Sequence, residues 1–170
     1  RATRANGVIS SALTINFISS IFNAGSMMTV FPYIVKRVYE GDALILSLLM
    51  ALFFVFAAIS NAILLRFMPL KRPGRLYLLL QLSRIVIITL LYLKGDWWLL
   101  TVAVMLWGFN MGLTSNLART VVQESAEPEF RGRILSVFSV TMMGSAPVGA
   151  LVLGFLIEIF GTLNALLPAV

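Results

Sequence analysis

Two sets of polar residues and two isolated charges interrupt an otherwise apolar chain, and their types limit the chemistry open to it. Asn16, Ser19, Ser20, Asn23 and Ser26 recur at close to helical spacing, so on a helix they share one face, an arc of roughly 120°. Trp107, Asn110 and Thr114 form a second set, a stacking surface beside hydrogen-bonding groups that suits an aromatic or amphipathic ligand. Each set reads in two ways, as the lining of a small-molecule cavity or as hydrogen bonds between helices. As binding residues they are Asn16, Ser19, Ser20, Asn23, Trp107, Asn110 and Thr114. Arg84 is the one charge deep within an apolar run, a functional candidate on the cost of burying it. Nine residues into its run, it can also reach back to the headgroup region, and the structural role is the favoured reading. Gln81, one turn earlier, is placed to share a hydrogen bond with it. Glu158 is the one carboxylate close to an apolar run, near its end and too shallow for a proton-coupling acid.

What is missing excludes more. The chain has no cysteine and no histidine, which removes thiolate and imidazole nucleophiles, the metal sites they build, and haem held by histidine. The seven carboxylates lie mostly in connecting segments, so an enzyme reading is poor, and no cofactor or metal is expected. No Gly-x-x-x-x-Gly-Lys-Ser/Thr loop is present for a nucleotide.

The elements that must position these residues are helices in a bilayer. Of the 170 residues 59% are hydrophobic and only 12% charged, against about 25% in a soluble domain, and the mean hydropathy is +0.95. The apolar residues come in long blocks rather than alternating, which means spanning helices and not a barrel. The expected fold is an all-α integral membrane protein with helices near 8–35, 43–65, 76–93, 97–122 and 133–159, and the start of a sixth at 162–170. All belong to a single domain. The net charge of +6 sits in clusters between the blocks, so the partner is a lipid bilayer and not nucleic acid. If the first residues are cytoplasmic, that side holds Arg1, Arg4, Arg66, Lys71, Arg72, Arg75, Arg119, Arg131 and Arg133. The far side holds Lys36, Arg37 and Lys94, and this asymmetry sets the orientation. The chain starts at Arg1 and stops inside an apolar segment, as expected of a fragment of a longer protein.

The segment from Glu127 to Gly161 is the most specific. A charged turn, Arg131-Gly132-Arg133, opens a run without charge from Ile134 to Ile157, long enough to span. Ala146, Ala150 and Gly154, each four apart, are expected to let another helix approach closely. Pro147, among Gly144, Gly149 and Gly154, is expected to bend the helix.

Asn116-Leu117, Gln123, Pro128, Arg131-Gly132-Arg133, Ser136, Gly144-Ser145-Ala146-Pro147, Gly149, Gly154 and Phe160-Gly161 together resemble the C-terminal half of the major facilitator superfamily. The likeness is greatest to the bacterial branch holding the enterobactin exporter and relatives of macrolide efflux proteins. The basic turn from Arg66 to Arg75 resembles that family's motif A without its aspartate. The resemblance implies a twelve-helix transporter of two halves built from inverted repeats, with its site near the midplane. This chain would supply helices 7–11 and the start of helix 12. The implied function is secondary, ion-gradient-driven export, an antiporter of a small organic molecule such as a siderophore or drug, in a bacterial inner membrane. Its partner would be an N-terminal half or another membrane subunit. The alternative is a non-transporting relative that serves as a structural subunit.

Overall fold

The computed structural model describes residues 7–67, 73–92, 95–125 and 129–161, with side chains except at 7–13, 15, 16, 73, 124 and 125. Five helices account for nearly all of it. The first, α1, starts at Gly7–Gly25 and continues without a break through Ser26–Val30, Phe31–Tyr33 and Ile34–Val38. Then come α2 (Ala43–Arg66), α3 (Pro73–Tyr92), α4 (Trp97–Ser125) and α5 (Arg131–Phe160). There is no strand among the described residues. Each helix contains a stretch long and apolar enough to cross a membrane, such as Phe17–Val38 in α1 and Ala43–Arg66 in α2. The sixth helix expected at 162–170 lies outside the described residues, as do Arg1, Arg4, Lys71, Arg72, Lys94 and Pro128.

Local chemistry explains most of the boundaries. Ser26–Val30 and Ile34–Val38 are wide π turns flanking Pro32, whose missing N–H removes a bond from the ordinary helical ladder. Glu40, at a left-handed φ of 55°, turns the chain after α1, and the Gly41 amide donates back to the Val35 carbonyl at 2.8 Å. Asp42 Oδ1 then caps α2 by accepting from the Ile45 amide at 2.8 Å. α3 begins three residues earlier than expected because Pro73 suits the first turn of a helix. Arg131, Gly132 and Arg133 form the first turn of α5 rather than a separate turn before it. Gly161, at φ 84°, ends α5 with its amide on the Ile157 carbonyl at 2.9 Å.

Packing divides the bundle into two groups. α1 lies along α5, while α4 takes α2 on one side and α3 on another. Both of the closest approaches run over glycine. A Cβ on Gly149 would overlap the Ile21 carbonyl, and one on Gly25 would overlap the Gly149 backbone. On α4, Gly108 and Gly112 rest against the backbones of Phe53 and Ala57 in the same manner, a Gly-x-x-x-Gly contact.

The buried face of α5 is Ile134, Phe138, Ser145, Gly149 and Leu153. This corrects the expected stripe: the close approach is made by Gly149 and not by the line Ala146, Ala150, Gly154. Those three are half-buried, and a Cβ on Gly154 would meet only the Thr29 methyl, at 3.9 Å. Gly144 and Gly132 face open space. Pro147 is exposed within the uninterrupted helix Arg131–Phe160.

Candidate functional site

Two apolar clusters fill the interior, and a polar layer separates them. One cluster centres on Trp107, which meets Phe31 and Phe53 edge-to-face at centroid distances of 5.9 and 5.6 Å, with Ile87, Leu91 and Leu153 nearby. The other gathers Ala118, Val122, Ile134 and Phe138, flanked by Tyr77 and Met142. Between them α1, α3, α4 and α5 enclose a partly open cavity lined by Ser19, Ser20, Asn23, Tyr77, Gln81, Arg84, Thr114, Ser115 and Met142. Most of its lining residues fall in the middle part of these helices, while Tyr77 lies one turn into α3. The free space is about 20 Å³, room for one or two waters and far below the ~300 Å³ or more of an organic ligand's pocket.

Of the residues expected to bind, Ser19, Ser20, Asn23 and Thr114 line this cavity. Trp107 is 5% exposed, and its indole N–H donates to Asn23 Oδ1 at 2.9 Å. Its ring faces are taken up by core packing, so it acts on the cavity through Asn23. Asn110, also buried, is turned toward α3. Its Nδ2 donates to the Leu80 carbonyl and to Ser83 Oγ, both at 2.8 Å, while its Oδ1 is buried without a partner. Thr114 Oγ1 donates to the carbonyl of Asn110 at 2.9 Å. Asn16 lies one turn before Ser19 and Ser20 on α1, its side chain outside the described set. Ser26 is buried at the first π turn, and its hydroxyl has no partner.

Arg84 departs from the favoured expectation. With α3 starting at Pro73, eleven residues of helix place Arg84 about 16 Å along it, half of the ~30 Å hydrocarbon core. It is 8% exposed, too enclosed to reach headgroups, and it faces the cavity. Its Nε is buried with no hydrogen-bond partner among the described residues, and no described carboxylate lines the cavity with it. Gln81 does not pair with it either. The Gln81 amide donates to Ser19 Oγ at 3.1 Å and to the Tyr77 hydroxyl at 3.4 Å. Glu158, in contrast, is exposed on the last turn of α5, away from this layer.

Tyr77, Ser115 and the Gly108–Gly112 contact had not been singled out. The glycine pair was visible as a Gly-x-x-x-Gly spacing in an apolar run. Tyr77 had no such signal, since near the start of its apolar run it looks like an interfacial aromatic, and only its place in the cavity lining marks it. The Asn116 amide donates to Asn61 Oδ1 at 2.6 Å, tying α4 to α2. Among the described residues no group of acidic residues is arranged to hold a metal.

Comparison with known families agrees with the span pattern. The model described as Major Facilitator Superfamily matches residues 13–168. No curated protein and no solved structure is matched by the chain.

Proposed function

Because this chain belongs to the major facilitator superfamily, and so is a multi-pass membrane transporter, we propose that it forms one helical half of a secondary exporter. In this reading an ion gradient drives efflux of a small organic molecule, such as a siderophore or drug, from a bacterial cell. The likeness of residues 116–161 to the enterobactin and macrolide exporters supports the direction. The nine-to-three distribution of cations supports a cytoplasmic start to the segment.

The observation that carries the proposal is the polar layer itself. Ser19, Ser20, Asn23 and Thr114 gather at mid-helix depth between two apolar clusters, where polar groups are costly unless they face a cavity or one another. At about 20 Å³ the space holds no drug-sized molecule. The substrate cavity would therefore be completed by a second half, against which this one rocks. Ser19, Ser20, Asn23 and Thr114 would touch substrate, Trp107 and Asn110 would position them, and the Gly25–Gly149 contact would keep α1 and α5 moving as a unit. Arg131, Gly132 and Arg133 would anchor α5 at the cytoplasmic surface.

The test is efflux by the full-length protein in proteoliposomes. Ser20→Ala and Thr114→Val remove the lining hydroxyls without adding bulk. Substrate KM is expected to rise severalfold, and transport to stop when the ion gradient is collapsed. Wild-type kinetics in the double variant would remove the lining assignment, and gradient-independent transport would remove the mechanism.

A further inference from the structure

The cavity is lopsided in its hydrogen bonding, and the imbalance identifies an occupant. The Trp107 indole can only donate, so the 2.9 Å contact fixes Asn23 with Oδ1 toward the ring. The amide group of Asn23 is left as a donor. Tyr77 accepts from Gln81, which frees its own O–H. The hydroxyls of Ser20 and Ser115 make no hydrogen bond among the described residues. To these donors Arg84 adds a full positive charge, with Nε buried and unpaired. A buried guanidinium without a counter-charge costs several kcal/mol, and among the described residues no carboxylate lines the cavity to supply one.

We propose that this cavity binds a single small anion, of halide size, held by Arg84 with Tyr77, Ser20, Asn23 and Ser115. The small free space, about 20 Å³ in a partly open cavity, suits a halide better than an organic acid. The anion supplies the charge that Arg84 lacks at mid-membrane, and it ties α3 to α1 and α4 across the polar layer. The site does not depend on the transport reading, because occupancy is an equilibrium property and needs no substrate.

The full-length protein in nanodiscs is melted in sodium chloride and in sodium gluconate at equal ionic strength. Chloride is expected to raise the melting temperature saturably, and bromide to substitute for it. Arg84→Gln is expected to weaken the halide dependence about tenfold or more, the loss of one charge-assisted contact. Glu158→Gln, on an exposed carboxylate, should leave it unchanged. Should Arg84→Gln fail to fold, diffraction from wild-type crystals grown in bromide decides the matter. An anomalous peak in contact with the Arg84 guanidinium supports the site. A water alone, or a carboxylate from another segment of the full-length chain in that position, overturns it. So does a wild-type protein that melts identically in chloride and gluconate, or an Arg84→Gln variant with undiminished chloride dependence.

Discussion

Replacing Gly149 by alanine tests the packing of the bundle most directly. The added Cβ overlaps the Ile21 carbonyl oxygen and comes to 3.0 Å from the Gly25 amide nitrogen. These are backbone atoms, so no rotamer change relieves the clash, and α1 and α5 must separate by about 1 Å or more to restore an ordinary ~3.5 Å contact. Overpacking of this kind costs roughly 1–3 kcal/mol, and the separation also strips contacts from Leu153 and Ser145 on the same face, buried at 0% and 1% exposure. In lipid such contacts are what holds helices together, so the upper end of the range applies. Alanine's better helix propensity returns up to about 1 kcal/mol, leaving a net loss of about 2 kcal/mol. Gly144→Ala, five residues away and facing open space, gains the propensity without the clash. The two variants should therefore melt roughly 5–10 °C apart, by fluorescence-detected size-exclusion chromatography of the full-length protein. Gly25→Ala combined with Gly149→Ala should cost less than the sum of the two, because one separation relieves both clashes. If Gly149→Ala melts with or above Gly144→Ala, the seam assigned to α1 and α5 is wrong.

Two further outcomes follow from single contacts. Asn23→Leu leaves the Trp107 indole N–H unpaired in the core, a loss of about 1–3 kcal/mol, whereas in a Trp107→Phe background the donor is already gone. Thermal unfolding should show Asn23→Leu costing at least about 1 kcal/mol less in that background, and an equal cost in both would refute the pairing. Glu40→Gly relieves a left-handed residue at φ 55° and should raise stability by about 0.5–1 kcal/mol after the greater chain entropy of glycine is counted. A lowered melting temperature would show that the Glu40 side chain contributes more than its backbone costs.

The spans were legible in the sequence because length and composition alone decide them. Which face each helix turns inward was not legible. α2 and α5 are apolar on nearly every side, so hydrophobic periodicity points nowhere, and the inward face of α5 shifted from Ala150 to its neighbour Gly149. The π turns around Pro32 change the register of α1 without any composition signal. Arg84 was misjudged for a related reason: it stands near the middle of the span on either count, and the sequence did not show the burial that keeps its guanidinium from the headgroups. Of the polar set on α1, Ser19, Ser20 and Asn23 meet at one cavity, and they stand out in the sequence because serine and asparagine contrast with apolar neighbours. Asn110 could not be separated from Asn23 by sequence, because the partner that fixes it is a carbonyl of α3, which every residue possesses.

The two kinds of contact in this bundle differ in how they yield. The glycine seams, α1 on α5 and α2 on α4, depend on close packing, and opening either one forfeits many contacts at once. Between the two groups the connection around the cavity is made by hydrogen bonds, chiefly Trp107 to Asn23 and Gln81 to Ser19, and beside it by the apolar cluster in which Phe31 and Leu153 meet Trp107. Each is worth only about 0.5–1.5 kcal/mol net where water can replace it, and this cavity has room for water. At the polar layer the least costly displacement is therefore a shift of the α1–α5 pair against α2, α3 and α4, pivoting on the apolar cluster around Trp107. Pro147 contributes little to such a shift, because it is exposed on α5 and the seam of that helix runs along another face. The weak plane of the fold passes instead through Arg84, whose unpaired charge makes occupancy of the cavity the variable that decides how firmly the two groups are joined.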